Sequence, residues 1–166
     1  MTVASADLHT AVITLWNSSG LNDIFKAFWA AADEDDYSVL HDEEAAPGQP
    51  FPYCVFKQDE GSTTSRMTSA TSTGRMEIRD VPWEFRIYTR SFFGNPKSAK
   101  QIAAELMDEV MKVFGGHPTE SAQDLTLENG SVLQSTYLTD IPIRKGDYEW
   151  EWLLRYKLLL DVPVRT

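Results

Sequence analysis

Apolar residues along this chain recur with two periods, and the change from one to the other separates helix from strand. Leu8, Val12 and Leu15 fall at helical spacing within Ala4–Trp16, with Ser5 as a candidate N-cap, and Ile24, Phe25, Phe28 and Trp29 carry the stripe on past Gly20. The pattern predicts a helix, a break near Asn17–Gly20 and a second helical piece, closed by the acidic run Asp33, Glu34, Asp35 and Asp36. Tyr37, Val39 and Leu40 read as a short strand or extended connection, and His41–Pro50, with its proline, glycine and charge, as an exposed loop. FPYCVF, Phe51–Phe56, is apolar throughout and predicts a strand covered on both faces.

The middle of the chain is different in kind. Gly61–Gly74, GSTTSRMTSATSTG, has small hydroxyl residues and almost nothing to bury, so it predicts a mobile loop or one arm of a long hairpin, spanning about residues 60–79. Trp83, Phe85, Ile87 and Thr89 then alternate with Glu84, Arg86, Tyr88 and Arg90, the period of a strand with one buried face. Asn95 offers a cap oxygen and Pro96 suits a first turn; Ala99, Ile102, Ala103, Leu106, Val110 and Val113 then mark a helix that Gly115 and Gly116 end. Leu125–Leu127 reads as a brief strand, Asn129-Gly130 as a hairpin turn, Val132–Leu138 as a strand and Ile141–Gly146, IPIRKG, as a linker. In the last segment Tyr148, Trp150, Trp152, Leu154, Tyr156, Leu158, Leu160 and Val162 share one face, and Glu149, Glu151, Arg155, Lys157 and Asp161 the other. This order predicts a single α+β domain over residues 1–166: a mainly antiparallel sheet with two or three helices packed on one face.

Composition narrows what such a domain does. With 166 residues and 42% hydrophobic residues the chain builds one core. No apolar run reaches membrane-spanning length and MTVASADLHT lacks the features of a signal peptide, so no membrane partner is expected and synthesis in the cytoplasm is. Cys54 is the sole cysteine, placed for burial, and an internal disulfide is impossible. A formal charge of −10 repels phosphate and argues against specific nucleic-acid binding, while it suits a surface that DNA passes without sticking.

Candidate chemistry is sparse. His9, His41 and His117 have no metal-ligand spacing, and nothing in the sequence places an oriented partner beside any of them. The acidic runs lack the calcium-loop pattern, and the chain has neither a nucleophile elbow nor a phosphate loop that opens a helix. The expectation is therefore no catalytic, cofactor-binding or metal site and no enzyme. A metal-dependent hydrolase using the acidic runs is the rival from another class. Trp16, Trp29 and Trp83 read as core, Trp150 and Trp152 as core residues and candidate interface anchors, and Arg66, Met67, Arg75 and Arg79 as candidate interface residues on or beside the polar arm.

The order of these segments resembles the tail terminator (tail completion) family of long-tailed bacteriophages. The pieces that carry it are FPYCVF after an acidic, proline-containing connection, WEFRIYTRS (Trp83–Ser91), GNPKSAKQIAAELMDEVMKVF (Gly94–Phe114), the apolar Leu125–Leu127 and the closing WEWLLRYKLLLDV (Trp150–Val162), which together cover the chain from about Leu21 onward. Relative to that family the N-terminal helix is long and IPIRKG is inserted. The resemblance implies a structural virion protein at the neck. Copies, typically six, would form a ring on the last tail-tube ring, stop its polymerisation and meet the head connector protein, with DNA only in transit through the lumen. It also makes Asp33, Glu34, Asp35 and Asp36 candidates for the lumen or a rim. A head-side connector or head completion protein is the alternative within the same class.

Overall fold

The computed structural model describes residues 3–58, 64–71, 74–128 and 131–163, with side chains described over 7–58, 80–128 and 135–158. Helices α1 (Val3–Ser18) and α2 (Leu21–Lys26) are separated at Gly20, whose φ of 82° is the left-handed turn that glycine adopts without a Cβ penalty. A 3₁₀ turn follows at Ala31–Asp33. Then come β1 (Leu40–Asp42), β2 (Tyr53–Gln58), β3 (Thr64–Thr71), β4 (Gly74–Arg90), α3 (Ala99–Phe114), β5 (Ser131–Arg144) and β6 (Glu149–Pro163). The strands form one sheet in the order β1-β2-β4-β6-β5, with β3 also on β4; only the β1–β2 pair is parallel. The fold is the α+β arrangement that the periodicities predict.

Phe85 shows which side the helices take. Its ring lies 5.6 Å from that of Trp16 on α1 and 4.7 Å from that of Phe114 on α3, so both helices cover the same face of β4. Trp16 also meets Phe25 of α2 at 5.5 Å. Across this face the register aligns Phe56, Phe85 and Leu154, and beside them Trp83 and Tyr156, all fully or almost fully buried. Cys54 is likewise buried, and burial pushes its thiol well up from its ordinary value.

Burial acts on the tyrosines in the same direction. It pushes the Tyr53 hydroxyl up to about 12, with Tyr88, Glu149 and Glu151 adding to the effect. Tyr156, whose hydroxyl donates to the Gly115 carbonyl at 2.9 Å, is raised further still. The phenols thus ionise more readily in the unfolded chain, near the ordinary value of about 10, so stability present below that pH declines as the pH rises toward 12. An alkaline titration followed at 295 nm should show the buried phenolates appearing together with unfolding; complete ionisation near pH 10 in a folded protein would contradict this.

Several boundaries differ from those expected. Helix α3 is capped by Ser98, not Asn95: the Ser98 hydroxyl accepts from the Gln101 N–H and the Gln101 side chain accepts from the Ser98 N–H, satisfying two otherwise orphaned donors at once. Asn95 Oδ1 instead takes the Lys97 N–H, which leaves Pro96 ahead of the helix. Leu125–Leu127 forms no strand; Leu127 plugs the core from an irregular segment. Asn129-Gly130 lies outside the described residues. Ile141–Arg144 is not a linker but the second half of β5, where Pro142 sits on an edge strand that tolerates it. Of the two readings of the Gly61–Gly74 run, residues 64–71 take the strand form, as β3 paired to β4; residues 59–63 and 72–73 lie outside the described residues. The expected loop from His41 also begins later, since His41 and Asp42 pair with Val55 and Phe56.

Candidate assembly surface

Two features of the sheet go beyond what a single covered face requires. The first is length. Strand β2 occupies the edge of β4 over Trp83–Tyr88, while β3 takes the same edge over Gly74–Asp80. On the other side β6 follows β4 all the way from Met76 to Arg90. Val81 and its register partner Leu158 are buried. At about 3.3 Å per residue, the stretch Gly74–Asp80 therefore carries the sheet roughly 20 Å farther, flanked by β3 and β6.

This extension contains four of the sequence-derived interface candidates. Arg66 sits at a β-bulge, where the register slips between Ser65 and Met67; Met67 stands opposite Ile78, Arg75 opposite Ala70, and Arg79 between Ser65 and Leu160. Bulges of this kind twist a strand edge and re-aim what it presents. Backbone pairing with β4 gives a run of serines and threonines the ordering of a strand.

The second feature is the sheet face away from the helices. Register places Lys57, Glu84 and Arg155 on one row, Val55, Arg86 and Leu153 on the next, and Tyr53, Tyr88 and Glu151 on a third. A chain of ion pairs crosses these rows. Lys145 Nζ lies 2.6 Å from Glu151 Oε2, Glu151 Oε1 is 3.3 Å from Arg86 Nη1, Arg86 Nε donates to Glu84 Oε1 at 2.6 Å, and Arg155 Nε reaches Glu84 Oε2 at 3.5 Å. Glu151 is fully buried although it stands on the face that alternation marks as polar, which corrects the simple two-face reading of β6. Its charge is tolerated because a guanidinium and an ammonium meet it. The Glu84 carboxylate and partial burial act in opposite directions on Arg86, and the net effect raises its already high pKa.

Replacing Glu151 by Ala should cost about 1–2 kcal/mol in urea unfolding, less than breaking a fully buried ion pair, because Arg86 and Lys145 retain partial access to water. Glu151→Gln, which keeps an acceptor, should lose less. Equal losses in the two variants would show that the charge, and not the retained acceptor, carries the effect.

The other candidates stand apart from the extension. Trp150 and Trp152 are half-buried, and both are engaged within the chain: the Lys100 ammonium lies 5.2 Å from the Trp150 ring, and the Trp152 indole donates to Asp140 Oδ2 at 2.8 Å. Tyr148 is largely exposed, not packed with the apolar face to which its spacing assigned it. Asp33 is half-buried in the 3₁₀ turn and Glu34, Asp35 and Asp36 are exposed; among the described residues none of the four forms an ion pair. The structure thus keeps the acidic run and the arm candidates in separate parts of the fold.

Sequence reasoning missed one polar pair. His9 Nδ1 lies 2.9 Å from Asp42 Oδ2, its ring meets Phe56 edge-on at 5.0 Å, and the pair fastens α1 to β1. The two residues are 33 positions apart, so no spacing rule reveals them. An imidazole held by a carboxylate is half of a catalytic triad, but no described side chain completes it. The thiol of Cys54, the one strong nucleophile in the chain, is wholly buried with its pKa raised. Among the described residues no group of His, Cys, Asp and Glu side chains is arranged to hold a metal ion, and no helix is long and apolar enough to cross a membrane.

No family model matches the sequence, and no curated protein matches it. A chain from the virion of a native gene transfer agent (GTA) particle superposes on this one with a TM-score of 0.41 and 17% identity, covering 81% of this chain and 87% of that chain. A superposition this loose does not establish a common fold.

Proposed function

We propose that this chain is a structural virion protein of the tail terminator kind, whose copies close into a ring, six in number by the family resemblance, at the head-proximal end of a phage tail. The observation that supports the reading is the sheet extension: β4 and β6 stay paired beyond Val81 and Leu158 as far as Met76 and Pro163, and β3, rich in serine and threonine, pairs along that stretch of β4. A strand pair of this length suits contact with another chain.

In this reading the extension, with Arg66, Met67, Arg75 and Arg79, meets the neighbouring subunit or the tail-tube protein, and Trp150 and Trp152, at the other end of β6, anchor a separate contact. The head connector takes the opposite side of the ring. Asp33, Glu34, Asp35 and Asp36 face the lumen or a rim, where carboxylates keep passing DNA from adhering. The net charge of −10 accords with that passage. A closed ring needs a head-to-tail contact, in which two different patches of one subunit complement each other. The test is the mass of the purified protein over a concentration series, with negative-stain images. A ring with a central hole is expected, and a monomer that also fails to join tail tubes would overturn the reading.

A further inference from the structure

Phe93 is the largest anomaly on the described surface. Its side chain is fully exposed, at 109% of the reference value, on the turn between β4 and α3. That turn is firmly held. The Asn95 N–H donates to the Phe92 carbonyl at 3.1 Å across Phe93 and Gly94, and Gly94 takes the positive φ of 79° that a glycine in the second central position of a tight turn accepts. On one flank the Ser91 N–H donates to the Tyr148 carbonyl at 2.8 Å; on the other the Asn95 side chain takes the Lys97 N–H. Beneath it, Phe92 stacks on Phe28 at 5.8 Å. The ring of Phe93 is therefore presented to solvent by a fixed scaffold, and the side chains around it, Arg90, Lys97 and Lys100, are exposed and basic.

The same chain carries a complementary hollow. Between α2 and α3 lies a depression of about 400 Å³ lined by the apolar Ile24, Phe28 and Leu106 and by Glu105, Asp108, Glu109, Lys112 and His117. It is roomy enough for a phenyl ring. Of its carboxylates, Glu105 is paired with Lys97 and Glu109 with Lys112, while the exposed Asp108 forms no ion pair among the described residues and can meet the basic side chains beside Phe93. Phe93 points into solvent and does not fill this hollow in its own subunit, even though Phe92 touches the wall at Phe28.

We infer that Phe93 of one copy docks into the Ile24–Phe28–Leu106 hollow of a second copy of this chain, with Lys100 and Arg90 facing Asp108. A rigid aromatic anchor entering an apolar pocket beside an opposite charge is how a few residues come to dominate an interface. The inference rests on the ring reading for the number of copies that join, not for the contact itself.

The test puts p-benzoyl-phenylalanine at position 93 and irradiates a mixture of light and isotope-labelled chains, alongside sedimentation of the wild type and Phe93→Ser. Because Phe93 is wholly exposed, the serine variant should fold as the wild type does. The expected result is a mixed-isotope cross-link from position 93 to α2 or α3, with at least tenfold weaker self-association of Phe93→Ser and partial recovery when Asp108→Lys is paired with Lys100→Asp. Rings that form normally with Phe93→Ser, or cross-links that map elsewhere or only to another protein, would overturn the docking and leave the ring reading standing. A cross-linked species that stops at two copies would support the docking and overturn the ring.

Discussion

Removing residues 63–72, which takes out β3, should leave a folded chain that no longer assembles. The buried side chains Trp16, Phe56, Phe85, Phe114, Leu154 and Tyr156 come from α1, β2, β4, α3 and β6, and β3 pairs with the Gly74–Asp80 part of β4. Its loss unpairs one edge and leaves the pairing of β2, β4, β5 and β6 in place, and the melting temperature should fall by no more than a few degrees. Assembly should respond in the opposite measure. If the extension makes the contact with the neighbouring subunit or the tube, its deletion removes the interface outright, and native mass spectrometry should find monomer wherever the wild type forms rings. Normal tails from a phage carrying the deletion would sink the assignment of the arm, whatever the stability of the protein.

Trp16→Ala is expected to have the largest effect on the fold. Trp16 is completely buried where the three helices and the sheet meet; its ring contacts those of Phe25, Phe85 and Phe114 at 5.5, 5.6 and 6.4 Å, and its indole donates to Asn22 Oδ1 at 2.8 Å. Truncation to a methyl opens a cavity among side chains anchored on four elements, which cannot all collapse into it, so the loss should be about 3–5 kcal/mol. For a chain of this size each kcal/mol corresponds to roughly 2–4 °C, and a drop of about 10–15 °C in thermal melting follows. Trp152→Ala offers the comparison: a half-buried ring with one hydrogen bond to Asp140 should cost clearly less. A similar loss at both positions would show that the core is not centred where α1 crosses the sheet.

These two sites also mark how far the sequence could be read. The stripe on α1, the alternation in β4 and the periodicity of α3 were legible because burial on one face imposes a period that survives in the residues themselves. The cap of α3 was misplaced because Asn95 and Ser98 are both good caps, and the choice is decided by Gln101 reaching back to Ser98, a side-chain contact. Strand β3 was left open between loop and hairpin because its serines and threonines carry no burial signal; its partner lies in β4 and pairs through the backbone. For β5, Pro142 and Gly146 suggested a linker, yet the proline occupies an edge position where a missing N–H can be tolerated.

The candidate site was less legible than the fold. Arg66, Arg75 and Arg79 stood out as basic residues beside a polar run, and the structure gathers them on one extension of the sheet. What the sequence could not show was pairing at a distance. Glu151 is buried by Arg86, 65 positions away, and His9 meets Asp42 across 33. Phe93 carries no sequence signal, since exposure belongs to the three-dimensional surface and leaves no period. Each of these depends on which elements the topology brings together, and local pattern holds no record of that.

The central claim is that copies of this chain close into a ring. Native mass spectrometry over a concentration series, with negative-stain images of the same samples and of samples mixed with tail tubes, tests it most directly. The account predicts a discrete species of six 18.8 kDa chains with a central hole, formed in solution or on the tube end. A chain that stays monomeric at every concentration and leaves tube ends bare would contradict it.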